Sequence, residues 1–354
     1  MAPFSSMAEA LRLTRAGKLA EATALLRGNA GGRVPRSRQA SSGPVIDLVA
    51  RRVTTAPDRV AAEPRPATGH GLFEARRHNG AAGPIDYMLY RPAAAAPGMP
   101  LVVMLHGCTQ TPEDFARGTA MNRLAEELGF LVAYPRQSQA ANTHKCWNWF
   151  RPGDQARDRG EPALIAGLIR DIIVTERVDA GRVYVAGLSA GGAAAAVMAD
   201  AYPDMIAAVG VHSGLACGAA RDLPSALMAM KRGGGSGSAS RRTSSRFVPV
   251  ITFHGDRDGT VNEANARDIV AAATAATEGR TTVEVETGEA GGRRYTRALS
   301  RDGTGHVLIE QWTVRGAGHA WSGGDPAGSY ADAAGPDASR AMLAFFMGHS
   351  QPGS

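Results

Sequence analysis

From Gly71 onward, segments typical of buried β-strands alternate with segments typical of α-helices, and no other feature of the sequence restricts the fold as much. The run at 100–106 is apolar almost throughout, as expected for a strand covered on both faces of a parallel sheet. We predict further strands at 72–76, 85–90, 130–134, 182–186, 206–212, 249–254, 281–286 and 307–314. Helices are predicted at 112–128, 162–176, 190–202, 224–231, 262–277 and 336–347. This order predicts an α/β fold with a mostly parallel central sheet and helices on both of its faces.

The first 70 residues differ in composition from the rest of the chain. Residues 1–28 carry Leu and Ala at helical spacing and are predicted to form a short helical arm. Residues 29–70 are rich in Gly, Ala, Pro, Arg and Ser and are predicted to form a flexible linker. Residues 1–60 contain ten Lys or Arg and four Asp or Glu, a surplus that accounts for the whole net charge of +6. The basic arm could therefore contact a partner, whereas the domain at 71–350 is balanced in charge and no nucleic-acid partner is expected.

The cysteines and the apolar runs indicate the cellular setting. Cys108, Cys146 and Cys217 are too few for a disulfide scaffold and lack the spacing of a zinc site. No glycine-rich nucleotide motif is present, so neither a metal nor another cofactor is expected. The N-terminus lacks the apolar core of a secretory signal, and no run of 18 apolar residues occurs. We therefore expect a cytoplasmic protein without a membrane span.

Residues 187–191, Gly-Leu-Ser-Ala-Gly, match the Gly-x-Ser-x-Gly pattern of a nucleophile elbow. The pattern alone is frequent by chance, but here it lies between the predicted strand at 182–186 and the predicted helix at 190–202, the context that an elbow requires. The flanking glycines allow the strand and helix backbones to approach without a Cβ clash. Ser189 is therefore the candidate nucleophile of a serine hydrolase with an α/β-hydrolase fold.

The candidate acid follows the predicted strand at 249–254. In α/β-hydrolases the acid and then the base come after the nucleophile in the chain, at the ends of later strands. Asp256 and Asp258 both lie at such an end, and either could serve. We favour Asp258, because a turn residue further beyond the strand can reach back towards the nucleophile, whereas Asp256 is placed to shape the turn.

The order of residues also restricts the base to histidines that follow Asp258. His306 begins a predicted strand, and His349 lies at the terminal helix or tail. His319 lies in a glycine-flanked loop directly after a strand, where an imidazole can reach the edge of the sheet. His319 is therefore the predicted general base.

Two further groups are predicted around this triad. Acyl transfer needs backbone N–H groups that stabilise the oxyanion, and the N–H of Ala190 and that of Cys108, in the loop after the strand at 100–106, are the predicted donors. Residues 146–150 place three aromatic side chains in five positions of a chain with few aromatics. We expect Trp147, Asn148 and Trp321 to form walls of the substrate cleft.

Together these segments resemble the poly(3-hydroxybutyrate) depolymerase family of esterases. The similarity lies in residues 105–110, 146–150, 187–192, 318–324 and 335–340 and extends over about 70–348. The resemblance implies an α/β-hydrolase catalytic domain whose acid is the second aspartate of the segment matching 254–261, which is Asp258. It also implies that a Cys108–Cys146 disulfide can form.

The resemblance leaves more than one function open. Its first implication is hydrolysis of poly(3-hydroxybutyrate) or its oligomers, and the alternative is a feruloyl or acetylxylan-type carbohydrate esterase, because those enzymes share much of the site. A different class of function is a granule-associated binding protein with residual esterase activity, in which the basic arm contacts the polymer granule. Secreted members carry a signal peptide and a polymer-binding domain that we do not find here, so an intracellular role is expected, with an extracellular location as the alternative.

Overall fold

The computed structural model describes residues 71–234, 246–277 and 280–351. The predicted arm at 1–28 and linker at 29–70 lie outside the described residues. The long strands are β1 (Leu72–Gly80), β2 (Gly83–Arg91), β3 (Leu101–Leu105), β4 (Leu131–Pro135), β5 (Val183–Leu188), β6 (Ala208–His212), β7 (Val250–Gly255), β8 (Thr282–Ala290), β9 (Arg293–Arg301) and β10 (Val307–Val314). The helices are α1 (Pro112–Thr119), α2 (Met121–Leu128), α3 (Gly160–Thr175), α4 (Ala190–Ala201), α5 (Leu223–Arg232), α6 (Ala264–Ala276) and α7 (Ala338–Phe346). A short pair, β11 (Trp321–Ser322) and β12 (Ala331–Asp332), lies apart from the main sheet.

Ten of the described strands form one sheet in the order β1-β2-β4-β3-β5-β6-β7-β10-β9-β8. The six strands from β4 to β10 in this order are parallel, and an antiparallel pair closes each side. The predicted fold class, an α/β-hydrolase fold with a mostly parallel sheet, is confirmed.

Helices cover both faces of the sheet, because alternate side chains of the central strands are apolar on both sides. Val103 and Leu105 of β3 face the cluster that includes α3, α4 and α6. Val102 and Met104 face the opposite cluster, which includes α1, α2 and α7. Full burial of such a side chain contributes about 1.5–3 kcal/mol, so the two clusters hold the strands in a fixed register.

Besides the short strands β11 and β12, which were not predicted, two longer elements differ from the prediction. The single helix expected at 112–128 is interrupted at Ala120, whose φ of 51° is left-handed and ends α1 before α2 begins. Strand β9 was not predicted, because its sequence is rich in arginine. Its arginines are neutralised across the sheet: Arg297 Nε donates to Glu310 Oε1 at 2.9 Å, and the guanidinium lies 5.2 Å from the Trp312 ring centroid.

The topology brings the predicted site segments to one edge. The loops after β3, β5, β7 and β10 all leave the carboxyl ends of parallel strands, which is where ligands bind in sheets of this type. No helix in the described residues combines the length and apolar character needed to cross a bilayer.

Candidate active site

Ser189 lies at a sharp turn between β5 and α4. Its φ of 58° and ψ of −120° lie in a region that non-glycine residues rarely occupy and that is frequent at functional sites. The turn is held by the Ser189 N–H, which donates to the His212 carbonyl at 2.9 Å. A Cβ at Gly191 would collide with the Leu105 carbonyl oxygen, and one at Gly187 would collide with the Gly191 backbone. Both glycines of the motif are therefore required by close backbone approach.

The predicted acid and base are in direct contact. Nδ1 of His319 donates to Oδ2 of Asp258 at 2.7 Å, and the other oxygen of Asp258 accepts the N–H groups of Thr260 and Val261, each at 2.9 Å. Burial acts to raise the pKa of Asp258, but the hydrogen bond and charge of His319, together with the two amides, outweigh it and hold the pKa below its usual value. The carboxylate therefore stays ionised beside the imidazole.

Asp256 contacts the turn before His319 and not the imidazole itself. Its Oδ1 accepts the Gly316 N–H at 2.6 Å, and its Oδ2 lies 3.3 Å from a guanidinium nitrogen of Arg315. Asp256 thus fixes the turn at 315–316 that leads to His319.

Ser189 and the His319–Asp258 pair lie at the same edge of the sheet without a hydrogen bond between hydroxyl and ring. In the part of the chain that the structure describes, His319 hydrogen-bonds to Asp258 but not to Ser189. Because Nδ1 of His319 is bound to the carboxylate, Nε2 is the nitrogen left to accept a proton. Such bonds are often long without substrate and shorten in the reacting complex, so this geometry is compatible with a serine–histidine pair.

The loop after β3 presents the N–H of Cys108. The backbone N–H groups on either side of it are hydrogen-bonded. The Gly107 N–H donates to Gln110 Oε1 at 2.9 Å, and the Thr109 N–H donates to the His144 carbonyl at 2.7 Å. Among the described residues the Cys108 N–H has no acceptor. A Cβ at Gly107 would lie 3.7 Å from Cβ of Ser189, so this loop borders the elbow.

A buried histidine orients this amide. His106 Nδ1 lies 2.8 Å from the Gly107 carbonyl oxygen, and its Nε2 accepts the Gln137 N–H at 3.2 Å, so Nδ1 carries the proton and donates. In a trans peptide the C=O and the following N–H point in opposite directions, so the Cys108 N–H points away from His106. The second predicted donor, the Ala190 N–H, is the first of α4 and has no acceptor within the helix.

Comparisons with known proteins agree with this architecture. The family model described as esterase PHB depolymerase matches residues 85–282, more than half of the chain. The chain belongs to the esterase PHB depolymerase family.

Relatives within and around the PHB depolymerase family differ in their named substrates. The chain is 32% identical over 246 residues to poly(3-hydroxyalkanoate) depolymerase C of Paucimonas lemoignei, an alignment covering 67% of this chain and 58% of that protein. It is 34% identical over 128 residues to feruloyl esterase B of Neurospora crassa, an alignment covering 36% of this chain and 43% of that protein. The chain thus spans less than two thirds of the length of these relatives. A solved acetyl xylan esterase from Aspergillus awamori has a TM-score of 0.61 at 20% identity, covering 78% of this chain and 100% of that one, which shows the shared fold.

In this member of the PHB depolymerase family the predicted cleft walls are buried. Trp147 and Trp321 are each 1% exposed and Asn148 is 2% exposed. Nε1 of Trp147 donates to the His106 carbonyl at 3.1 Å, so the ring supports the loop of Cys108 from beneath. Burial in the packing beneath these loops accounts for the two large rings, and the expectation that the three side chains form walls of the substrate cleft stays a prediction.

Tyr330 is the aromatic residue that sequence reasoning missed. It is 48% exposed, and its ring centroid lies 6.4 Å from that of His319. Nothing in the sequence around Tyr330 distinguishes it from a loop residue, because its proximity to His319 arises from the pairing of β11 with β12.

Cys108 and Cys146 form a disulfide, as the family resemblance implied, and Cys217 is free. The bond ties the loop that presents the Cys108 amide to the segment 137–148. That segment is held in turn by Glu161, which is 8% exposed. The Glu161 carboxylate accepts the Asn148 N–H at 2.7 Å and the Asn148 side-chain amide at 2.6 Å, as well as a hydrogen bond from the Gln137 side chain.

This buried carboxyl predicts a pH-dependent stability. Burial raises the pKa of Glu161 to about 7 from 4.5, against the hydrogen bonds from Asn148 and Gln137 that lower it. Because the folded-state pKa lies above the unfolded one, the folded protein binds more protons between the two values. The stabilisation that this group contributes is therefore complete below about pH 4.5 and is lost as the pH rises through about 7.

Glu161→Gln, which carries no titrating group, should remove this loss. From pH 5 to pH 8 the wild type should lose about 2–3 kcal/mol of free energy of unfolding relative to the variant, since one pKa unit corresponds to about 1.36 kcal/mol. Denaturant unfolding of both proteins at the two pH values measures the change. A difference between the proteins that is the same at both pH values would contradict it.

Proposed function

We propose that the protein is a serine esterase that hydrolyses carboxylic esters through an acyl-enzyme intermediate. Ser189 is the nucleophile, His319 the general base and acid, and Asp258 the carboxylate that orients His319. The observation that carries the proposal is the 2.7 Å hydrogen bond between His319 and Asp258 at the same sheet edge as the turn of Ser189. An ionised carboxylate that orients an imidazole, at the sheet edge where the nucleophile turn lies, is the arrangement that a serine hydrolase requires.

In the first step, His319 Nε2 takes the hydroxyl proton as Ser189 Oγ bonds to the ester carbonyl carbon. The negative charge on the carbonyl oxygen is stabilised by the N–H groups of Cys108 and Ala190, and Asp258 stabilises the imidazolium. The intermediate then expels the alcohol, which takes the proton from His319. In the second step a water molecule gives its proton to His319 and attacks the acyl group, and the carboxylic acid leaves Ser189 with its hydroxyl restored.

For the substrate we propose poly(3-hydroxybutyrate) or its oligomers. The support is the depolymerase from Paucimonas lemoignei, whose alignment covers 67% of this chain, against 36% for the feruloyl esterase from Neurospora crassa. A carbohydrate esterase is the second candidate, and the acetyl xylan esterase that shares the fold favours it.

A substrate panel separates the two. We expect kcat/KM for a soluble 3-hydroxybutyrate trimer to exceed that for methyl ferulate and for acetylated xylo-oligosaccharide by roughly tenfold or more, because one well-fitted contact contributes about 1.4 kcal/mol. The Ser189→Ala variant serves as the blank for each substrate. Faster turnover of methyl ferulate or of the acetylated sugar would assign the protein to the carbohydrate esterases instead.

The disulfide bears on the location of the protein. Disulfides persist in oxidising compartments and are rare in the cytosol. The Cys108–Cys146 bond therefore favours the extracellular alternative over the cytoplasmic expectation.

A further inference from the structure

His212 is the last residue of β6, between the strands that carry the proposed nucleophile and acid. It pairs in register with Leu188 of β5 and with Phe253 of β7. It is 1% exposed and was not singled out by the sequence, because a strand-terminal histidine has no pattern of its own. Its position places it beneath the sheet edge at which the proposed triad lies.

Two hydrogen bonds connect His212 to both halves of the proposed site. Its carbonyl accepts the N–H of Ser189 at 2.9 Å. Its Nε2 accepts the N–H of Ser322 at 3.0 Å, three residues after His319. His212 therefore joins the turn at Ser189 to the segment 315–322 that carries His319, which we call the histidine loop.

The ring is held in one orientation. It stacks on Trp321 with centroids 5.0 Å apart and on Phe253 with centroids 5.8 Å apart. Beyond it, Trp321 Nε1 donates to Ser339 Oγ at 3.0 Å, and Ser322 Oγ donates to the Pro336 carbonyl at 2.8 Å. The histidine loop is thus anchored on one side by α7 and its preceding turn and on the other by His212.

The hydrogen bonds require a neutral ring. Nε2 can accept the Ser322 N–H only if it carries no proton, which leaves Nδ1–H to donate to Ser213 Oγ at 3.2 Å. Burial, together with the nearby His254 and His319, lowers the pKa of His212 to about 3, although Asp258 acts to raise it. The ring therefore remains neutral while His319 gains and loses a proton.

We propose that His212 is a positioning residue for the ester hydrolysis proposed above, on which this inference rests. Its unprotonated Nε2 fixes the backbone of the histidine loop at a set distance from the Ser189 turn. Without that acceptor the Ser322 N–H is left buried and unpaired, and the loop shifts to find another partner. A displacement of about 1 Å in the base is enough to reduce the rate roughly 100-fold.

Two isosteric variants separate this role from simple packing. His212→Gln keeps an acceptor where Nε2 lies, whereas His212→Asn places its amide where Nδ1 lies and cannot reach Ser322. We expect His212→Asn to reduce kcat on p-nitrophenyl butyrate by roughly 10- to 100-fold with KM little changed, and His212→Gln to stay within about threefold of the wild type. Rates are expressed per active site titrated with a fluorophosphonate.

Hydrogen exchange provides a readout that does not depend on turnover. The peptide containing Ser322 should exchange faster in His212→Asn than in the wild type and should be restored in His212→Gln. Tyr184→Phe is the matched control. It removes one partly buried hydrogen bond on the neighbouring strand and outside the site, from the Tyr184 hydroxyl to the His349 carbonyl at 2.7 Å. It should leave both kcat and this exchange unchanged.

The outcomes are distinguishable. Equal kcat losses in His212→Asn and His212→Gln, or exchange at Ser322 that is unchanged in His212→Asn, would overturn the positioning role. Faster exchange with an unchanged kcat would also overturn it. The proposed function fails if the wild type hydrolyses no ester, or if its hydrolysis persists in Ser189→Ala. In either case the exchange comparison still decides whether His212 holds the loop.

Discussion

Ser189→Ala should reduce kcat on p-nitrophenyl butyrate by roughly 10⁴-fold or more, because without the hydroxyl no acyl-enzyme can form. The residual rate would come from the proposed oxyanion donors, the Cys108 and Ala190 amides, which the substitution leaves in place. The fold should be retained, since Ser189 is held by its backbone N–H on the His212 carbonyl and its side chain makes no hydrogen bond among the described residues. Steady-state kinetics and a thermal melt of both proteins measure the two effects.

Ser300→Ala is a suitable control for this prediction. Ser300 is 6% exposed on β9, so the control removes a buried serine hydroxyl away from the elbow. It should turn over substrate at the wild-type rate. Activity in Ser189→Ala within about tenfold of the wild type would refute the role of Ser189.

The second large effect is expected for the acid. Asp258→Asn should reduce kcat by roughly 10⁴-fold, because an amide nitrogen facing His319 would turn the imidazole to the wrong tautomer. Asp256→Asn should stay within about tenfold of the wild type, since its amide oxygen can still accept the Gly316 N–H. The two variants are matched in chemistry and lie two residues apart.

Comparing kcat for these two variants tests the assignment of the acid. A larger loss in Asp256→Asn than in Asp258→Asn would reverse it. Equal small losses would show that neither carboxylate orients His319 during turnover.

The sequence predicts the sheet well where the signal is apolar burial. The strands β3, β5 and β7 are mostly apolar and are buried along their length, so composition locates them. Strand β9 could not be predicted, because Arg297 is neutralised by glutamates on neighbouring strands, and no local sequence pattern shows this tertiary effect. The helix break at Ala120 could not be predicted either, because alanine favours continuation of a helix.

For the site, chain order predicts which loops meet, and side-chain burial is harder to predict. His319 and Asp258 follow strands that end at the same edge, so their contact could be predicted from topology. The burial of Trp147 and Trp321 could not be predicted, because an aromatic cluster in a sequence does not reveal which side of a loop it packs against. The hydrogen-bond partners of His212 and His106 could not be predicted from the sequence, because they are backbone groups whose positions depend on the fold.

The central claim is that Ser189 and His319 act as one unit, and covalent labelling tests it most directly. The protein would be treated with a fluorophosphonate and digested, and the labelled peptide identified by mass spectrometry, in the wild type and in His319→Ala. We expect a single adduct on Ser189 and a labelling rate that falls by roughly 100-fold or more in His319→Ala, because removing the general base leaves the hydroxyl unactivated. An adduct on a different serine, or labelling of Ser189 at the same rate in both proteins, would contradict the claim.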